Sequence, residues 1–412
     1  MKKILLLAVP ALALLAACSK TEVTPQQSDP QQIGFTPLNS KLSTRALIDG
    51  TTYTVTAPTF GSLAYYVPEG TWDAKSSDTN TKLYIPISEI SYDATVSTWT
   101  TAKPYYWPKS GSLTFFAYSP YSYQETTASP TKIAVAAGTN NDGIVITDYD
   151  VDAHQLTDLM VADVTKSKDK TANESNGGYK EVPIVFQHKL AQIDSINLKT
   201  VKNISGVITP HDYANKHDGT SGKEYEAGDV VFKLKKVSIN KLNTKGNYTY
   251  ASTNTTAPTS IWSNHNTQKD AYVWYDYTSD NAGTPEQFAG NTKFELSFNN
   301  ERTANANPYV LVLPQPLTER TAAATLDKPY LHLEYQVLTY TDATNYATEN
   351  VTEDVDLYII HGGTSGAATT GIEIAQNKKI IYHIYINLEE RQIYWAPSVV
   401  DWETELHTYT IK

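Results

Sequence analysis

Few residue patterns in this chain have the spacing that chemistry requires, and each has a plainer reading beside it. The stretch HGGTSG (361–366) could point backbone N–H groups at an oxyanion. Such glycines serve a G-x-S-x-G nucleophile elbow in an alternating α/β frame, and the sequence contains neither. A loop between two strands is expected there. In DYDVD (148–152), Asp148, Asp150 and Asp152 alternate like calcium ligands, yet a calcium loop needs Gly at its sixth position and Glu at its twelfth, where this chain has Ala153 and Leu159. Alternating carboxylates along a solvated strand edge, where they discourage stray pairing, are the expectation. His188, in FQHKLAQ, has no Ser or Cys elbow beside it and reads as a partly buried strand histidine that holds a hydrogen bond. No H-E-x-x-H and no Cys/His cluster occurs, which argues against zinc. No catalytic residue or metal ligand is assigned, and an enzyme is not expected.

The cysteine count says more. Cys18 is the only cysteine in 412 residues, so no internal disulfide can form and an attachment role comes first. Before it stand Met1-Lys2-Lys3, an apolar run at 4–15 broken only by Pro10, and the small residues Ala16 and Ala17. This is a secretory signal, too short to span a bilayer stably. The tetrad Leu15-Ala16-Ala17-Cys18 resembles the lipobox of bacterial lipoproteins, which implies a diacylglyceryl group on the sulfur and cleavage that leaves Cys18 as the new N-terminus. Each buried methylene contributes about 0.8 kcal/mol and a single acyl chain is marginal, so the two or three chains such a residue carries give stable anchoring in the outer membrane. No cofactor is expected beyond this N-terminal lipid on Cys18. The plainer alternative is an ordinary signal peptide with an incidental cysteine.

What remains is long enough for two or three domains. The chain carries 33 Lys and Arg against 44 Asp and Glu, a formal charge of −11, and it has no basic cluster, so nucleic acid is not an expected partner. Tyr occurs 29 times and Met only 2, and helical periodicity is hard to find after residue 20. Short alternating segments such as SLTFFAYS, VPIVFQHKL, YLHLEYQVL and KIIYHIYINL recur instead, divided by Gly, Asn, Asp, Pro and Ser clusters. In the last, Ile381, His383, Tyr385 and Asn387 share one face and Tyr382, Ile384, Ile386 and Leu388 the other. Leu113, Phe115 and Ala117 likewise oppose Phe116 and Tyr118, a strand with two bulky faces. The fold class is therefore all-β, with sandwiches covering so many half-apolar strands. The polar run 166–181 places the boundary between two tandem β-sandwich domains, 33–175 and 176–412, after a signal peptide at 1–17 and a flexible lipidated spacer at 18–32.

An ordered set of landmarks carries a resemblance. After the lipobox come IGFTPLNSKLSTRA (33–46), YYWPKSGSLTFFAYSPY (105–121), DLMVA (158–162), IVFQHKLAQIDSINL (184–198) and VLVLPQPL (310–317). YHIYINL and IYWAPSVVDW (within 382–402) close the set. Together they resemble the fimbrillin-like proteins of the Bacteroidales, the lipoprotein precursors of type V pili. The resemblance implies transthyretin-like sandwiches and an arginine-specific, trypsin-like protease that cuts an exposed loop after the first strand. The matching bond is Arg45-Ala46; a surface arginine that is never processed is the plainer alternative.

If 33–38 forms an edge strand of the first sandwich, a cut at Arg45 releases it and uncovers an apolar slot with unpaired backbone groups. Each unsatisfied group costs on the order of 1 to 3 kcal/mol. Ile33 and Phe35 belong to this displaced strand. A strand from another subunit can complete the ladder and fill the pockets, a head-to-tail addition that does not close on itself. The resemblance implies a donor from the C-terminal region, where Ile393 and Trp395, then Tyr409 and Ile411, have two-residue spacing. Two readings follow. In the first, the chain is a stalk or tip subunit of a pilus, a cell-adhesion structure, whose partners are other pilus subunits and the protease. In the second, it is a permanently anchored surface lipoprotein, a pilus anchor or an adhesin for a host glycan or protein receptor, in which Trp72, Trp99, Trp262 or Trp274 could stack on sugars; cross-strand packing is the plainer role for those rings.

Overall fold

The computed structural model describes residues 32–39, 58–69, 72, 81–121, 133–137, 143–155, 158–168, 181–204, 207–210, 225–250, 262–277, 286–288, 294–297, 309–317, 327–357, 360–361, 368–369, 373–388 and 392–401. Strands dominate them. Among the described residues no helix is long and apolar enough to cross a membrane.

The first ten strands are β1 (Gly34–Asn39), β2 (Phe60–Val67), β3 (Lys82–Asp93), β4 (Thr98–Thr101) and β5 (Ser112–Ser119), then β6 (Ala134–Ala137), β7 (Ile144–Asp150), β8 (Met160–Ala162), β9 (Thr165–Lys168) and β10 (Glu181–His188). One sheet runs β2-β3-β4-β1-β10-β8-β5, and β5 pairs back onto β2, so the sheet closes on itself as a ring. Closure follows from composition. Every strand of the ring supplies at least one apolar residue to a shared core, and Phe35, Phe60, Phe115, Phe186 and Trp99 fill the interior. The expected division of β5 holds: Leu113, Phe115 and Ala117 point into the ring, whereas Phe116 and Tyr118 join a second core outside it.

The chain continues with β11 (Ala191–Ile204), β12 (Val207–Pro210), β13 (Val230–Asn240), β14 (Asn243–Thr249), β15 (Trp262–Gln268), β16 (Tyr272–Asp276), β17 (Glu286–Phe288), β18 (Phe294–Ser297) and β19 (Val310–Val312). It ends with β20 (Gln315–Pro316), β21 (Tyr330–Tyr340), β22 (Tyr346–Asp356), β23 (Ile360–His361), β24 (Ala368–Thr369), β25 (Glu373–Ile374), β26 (Lys378–Asn387) and β27 (Gln392–Asp401). These make a second body. One sheet, β12-β11-β26-β27 with β18 and β19 also on β11, faces another, β16-β13-β21-β22 with β17 on β13. Between them lies a core of inward side chains, including Ile196, Leu198, Phe232, Leu234, Tyr382 and Ile384. The expected two faces of β26 are present, with Tyr382, Ile384, Ile386 and Leu388 turned to this core. A sandwich packed from two sheets is the ordinary way to bury such faces.

The bodies interlock more than two tandem domains would. β10 lies beyond the polar run that suggested a boundary at 175/176, yet it pairs with β1 and β8 and completes the ring, because Val182, Ile184 and Phe186 on one face fit the ring interior. The passage to the second body falls at Lys189-Leu190, between β10 and β11. A further sheet, β15-β14-β7-β6, joins a hairpin from the first half of the chain to one from the second and covers the outer face of β2 and β5. DYDVD is corrected by this sheet. β7 is an inner strand, not a solvated edge, and Asp150 and Asp152 meet Lys245 (3.5 Å) and Lys269 (2.7 Å) across the junction.

Candidate functional site

β1 is the element on which the functional reading turns. Its alternation sends Ile33, Phe35 and Pro37 inward, and Ile33 and Phe35 are each 1% exposed. Phe35 meets Phe60 and Phe115 edge-on, with ring centroids 6.1 and 5.9 Å away. Phe60 in turn packs on Trp99 and Phe186. Burying two such side chains contributes about 1.5 to 3 kcal/mol each. Trp99, which the sequence offered as a sugar platform, is thus part of the wall around Phe35, and Trp72, Trp262 and Trp274 are also buried.

The neighbours of β1 correct the expectation of an edge strand. β10 pairs with it in parallel at six consecutive positions, Gly34↔Glu181 to Asn39↔Phe186. On the other side β4 pairs with it at Phe35↔Trp99 alone, and just before the strand Ile33 N–H donates to Tyr105 O at 2.8 Å. β1 therefore fills a seam in the ring, firmly zipped on one side and lightly held on the other. The physical reason is that the ring needs another apolar strand to close between β4 and β10, and parallel pairing with β10 puts Ile33 and Phe35 on the inside.

Glu181 locks that seam, and the sequence reading missed it. Its carboxylate accepts hydrogen bonds from Thr36 on β1 and Thr98 on β4, so one side chain spans the seam. Gly34 makes room for it: a Cβ there would lie 3.0 Å from Thr98 Oγ1 and 3.1 Å from Glu181 Cγ. Gln32 Nε2 adds a bond to Thr100 Oγ1 at 2.9 Å where the chain enters. The only signal for Glu181 was its place at the end of a polar run, and that run read as a linker.

The other expected residues fall as follows. Cys18, Arg45, Ala46, Tyr409 and Ile411 lie outside the described residues. Ile393 and Trp395 lie on β27, the last strand of its sheet among the described residues, opposite Ile386 and Ile384 of β26, and Ile393 is half-buried against the C-terminal core. The structure thus places these two candidates within their own chain's sheet and brings neither to β1. His188 is a buried strand histidine, as expected; its Nδ1 is bonded to the Asp158 carboxylate beside the junction. Next to it Lys189 is 5% exposed, and burial pulls its ammonium down to about 8 despite the countering charge of Asp163. Among the described residues no group of His, Cys, Asp and Glu is arranged to hold a metal.

Three comparisons bear on this architecture. The chain is similar to fimbrium subunit Fim1C of Phocaeicola vulgatus, 29% identical over 205 residues, 48% of this chain. It spans about half the length of that curated relative, 52%. A crystal structure of a fimbrial protein from Bacteroides vulgatus shares the fold at a TM-score of 0.56 and 17% identity, over 90% of this chain and 99% of that one. A family model described as fimbrillin-like matches residues 70–402, most of the chain, and the chain therefore belongs to the fimbrillin-like family.

Proposed function

We propose that this chain is a structural subunit, stalk or tip, of a cell-surface fimbria that serves adhesion, exported as a lipoprotein through Cys18 and joined to its neighbours by strand exchange after cleavage at Arg45-Ala46. The observation that carries this reading is the state of β1. It is the first described strand, it lies in parallel on β10, Phe35 and the preceding Ile33 fill the ring core, and among the described strands it forms no hairpin. Arg45 follows the last residue of β1 by six positions. A cut there would leave β1 held only by non-covalent contacts, and its departure would leave the ladder edges of β10 and β4 beside an aromatic slot.

The donor proposed is the C-terminal stretch that includes Ile393 and Trp395, then Tyr409 and Ile411. β27 pairs only with β26 among the described strands, in antiparallel register from Asn387↔Gln392 to Lys378↔Asp401. To act as donor it must leave β26, pivoting between Asn387 and Gln392. That turn falls at the end of the second sandwich farthest from the ring, because β26 starts beside the junction residue Leu190, whose carbonyl accepts from Asn377 N–H at 2.9 Å. A strand swung out there projects away from its own ring and toward the ring of a following subunit.

The similarity to a fimbrium subunit and the family match support this reading. One observation favours a second: with β1 in place the ring is complete, so an uncut, permanently anchored lipoprotein would be a finished fold. Sequencing the N-terminus and weighing the lipid of the mature surface protein separates the two. A chain that starts at Ala46, without acyl groups, in SDS-resistant ladders supports assembly. An acylated Cys18 in the surface protein, with monomers on the gel, refutes it.

A further inference from the structure

The two ends of the molecule that face away from the junction carry aromatic platforms of opposite charge. β10 runs from the free end of the ring, at Glu181, to the junction at His188, and β13 and β21 run between the junction and the far end of the second sandwich. At the free end of the ring, Tyr84 stands between Tyr66 and Tyr105, with centroids 6.3 and 6.5 Å away, and its hydroxyl donates to Tyr106 O at 2.6 Å. Tyr106 and Leu83 are 39% and 43% exposed. Lys103 sits 5.7 Å above the Tyr105 ring, and Lys82 and Lys109 are exposed beside it. The segments 82–84 and 102–111 hold these three lysines and no acid; among the described residues Glu69, and Glu181 at the start of β10, are acidic residues at the same end.

The far end of the sandwich is its counterpart. Tyr225 and Tyr340 stack at 3.8 Å and 18°, Tyr340 meets Tyr346 at 5.1 Å, and Tyr346 is 50% exposed. Around them stand Glu226, Asp229 and Asp342, and the segments 225–231 and 338–349 contain no Lys or Arg. The Asp342 carboxylate is held by Asn345 and Thr344, so its charge is fixed in place at the tip of the β21–β22 turn.

We infer that the basic tyrosine platform on the ring of one copy docks against the acidic tyrosine platform on the second sandwich of the next copy. The occupant is a second copy because the two surfaces complement each other in sign and match in chemistry, and because the contact is heterologous: each copy keeps one platform free, so the addition extends in a line. This inference rests on the assembly reading above, and it supplies what strand exchange alone lacks, an orienting contact made before any strand moves. Gln32, where β1 enters the ring, bridges to Tyr106 in the basic platform, and the β26–β27 turn lies at the acidic end, so docking brings the proposed slot and donor together. Rigid aromatic side chains ringed by opposite charges are the composition of a fast, oriented encounter surface.

The test uses the full chain in cells that assemble it, comparing wild type with Lys103→Glu/Lys109→Glu and with that pair combined with Glu226→Lys. Expected is a drop of at least tenfold in SDS-resistant polymer for the charge-reversed ring, with unchanged thermal unfolding of the monomer, and substantial recovery in the combined variant. A Lys103→Cys/Glu226→Cys chain should form disulfides between neighbouring copies in the polymer. Polymer at wild-type yield in the charge-reversed ring, without those crosslinks, overturns the docking inference and leaves strand assembly standing. Absence of polymer in wild type, with acylated monomer at the surface, overturns the assembly reading itself and this inference with it.

Discussion

Phe35 stands edge-on to Phe115, their ring centroids 5.9 Å apart and their planes at 86°, so the first described strand is pinned to the opposite wall of the ring it closes. If that contact holds β1 in place, Phe35→Ala removes a ring from a fully buried site and should destabilise the uncut chain by about 3–5 kcal/mol. Chemical denaturation of the full chain measures this. A loss under about 1 kcal/mol would mean that β1 is seated loosely and that its departure opens no costly slot.

Lys189 makes stability depend on pH in a direction that can be worked out. Burial lowers its ammonium from 10.5 to about 8, so between those values the unfolded chain binds a proton that the folded chain does not. Stability then rises with pH from about 8 upward, by at most about 1.4 kcal/mol per pH unit. Tyr149 and Tyr248 act in the opposite sense: burial raises their phenols well above 10, so their contribution is present below that pH and is lost above it. Denaturation midpoints from pH 7 to 11 should therefore climb and then fall. Lys189→Met should flatten the climb, leave the fall, and stabilise the protein at pH 7; an unchanged climb would show that the ammonium is solvated.

Gly61 lies across β2–β5 from Tyr118, and a Cβ there would come within 2.2 Å of its ring. Tyr118 is fully buried in the core between the ring and the bridging sheet, so it has little room to retreat. Gly61→Ala should cost about 1–3 kcal/mol. Because the clash needs both partners, the cost should shrink when Tyr118→Leu is also present, and a double-mutant cycle showing simple additivity would place the strain elsewhere.

Local patterns in the sequence carried the local structure. The two faces of β5 were readable from Leu113, Phe115 and Ala117 against Phe116 and Tyr118, since alternation is a property of adjacent residues. His188 was readable as a bonded strand histidine because no nucleophile accompanied it. What could not be read were partners far apart in the chain. β10 looked like the start of a new domain because a polar run precedes it, although its parallel partner β1 lies more than a hundred residues earlier. The pairing of β7 with β14 has the same character, and it turned an expected edge into an interior strand. Glu181 was hidden for a related reason: its meaning depends on Thr36 and Thr98, which only the closed ring brings to it.

The location of the donor yields the last prediction. β27 lies against β26 in an unbroken antiparallel register, with His383 opposite Ala396. Directly opposed residues on antiparallel strands have Cα separations of about 4.5–5.5 Å, inside the range a disulfide needs. His383→Cys/Ala396→Cys should therefore lock β27 onto its own sheet under oxidising conditions while leaving the ring and the Arg45 site untouched. If β27 must leave β26 to fill a neighbour's slot, the oxidised variant should be cut normally yet remain monomeric, and a reductant should restore polymer. Polymer formed at the wild-type rate with the disulfide intact would exclude Ile393 and Trp395 as donor residues and confine that role to the chain beyond Asp401.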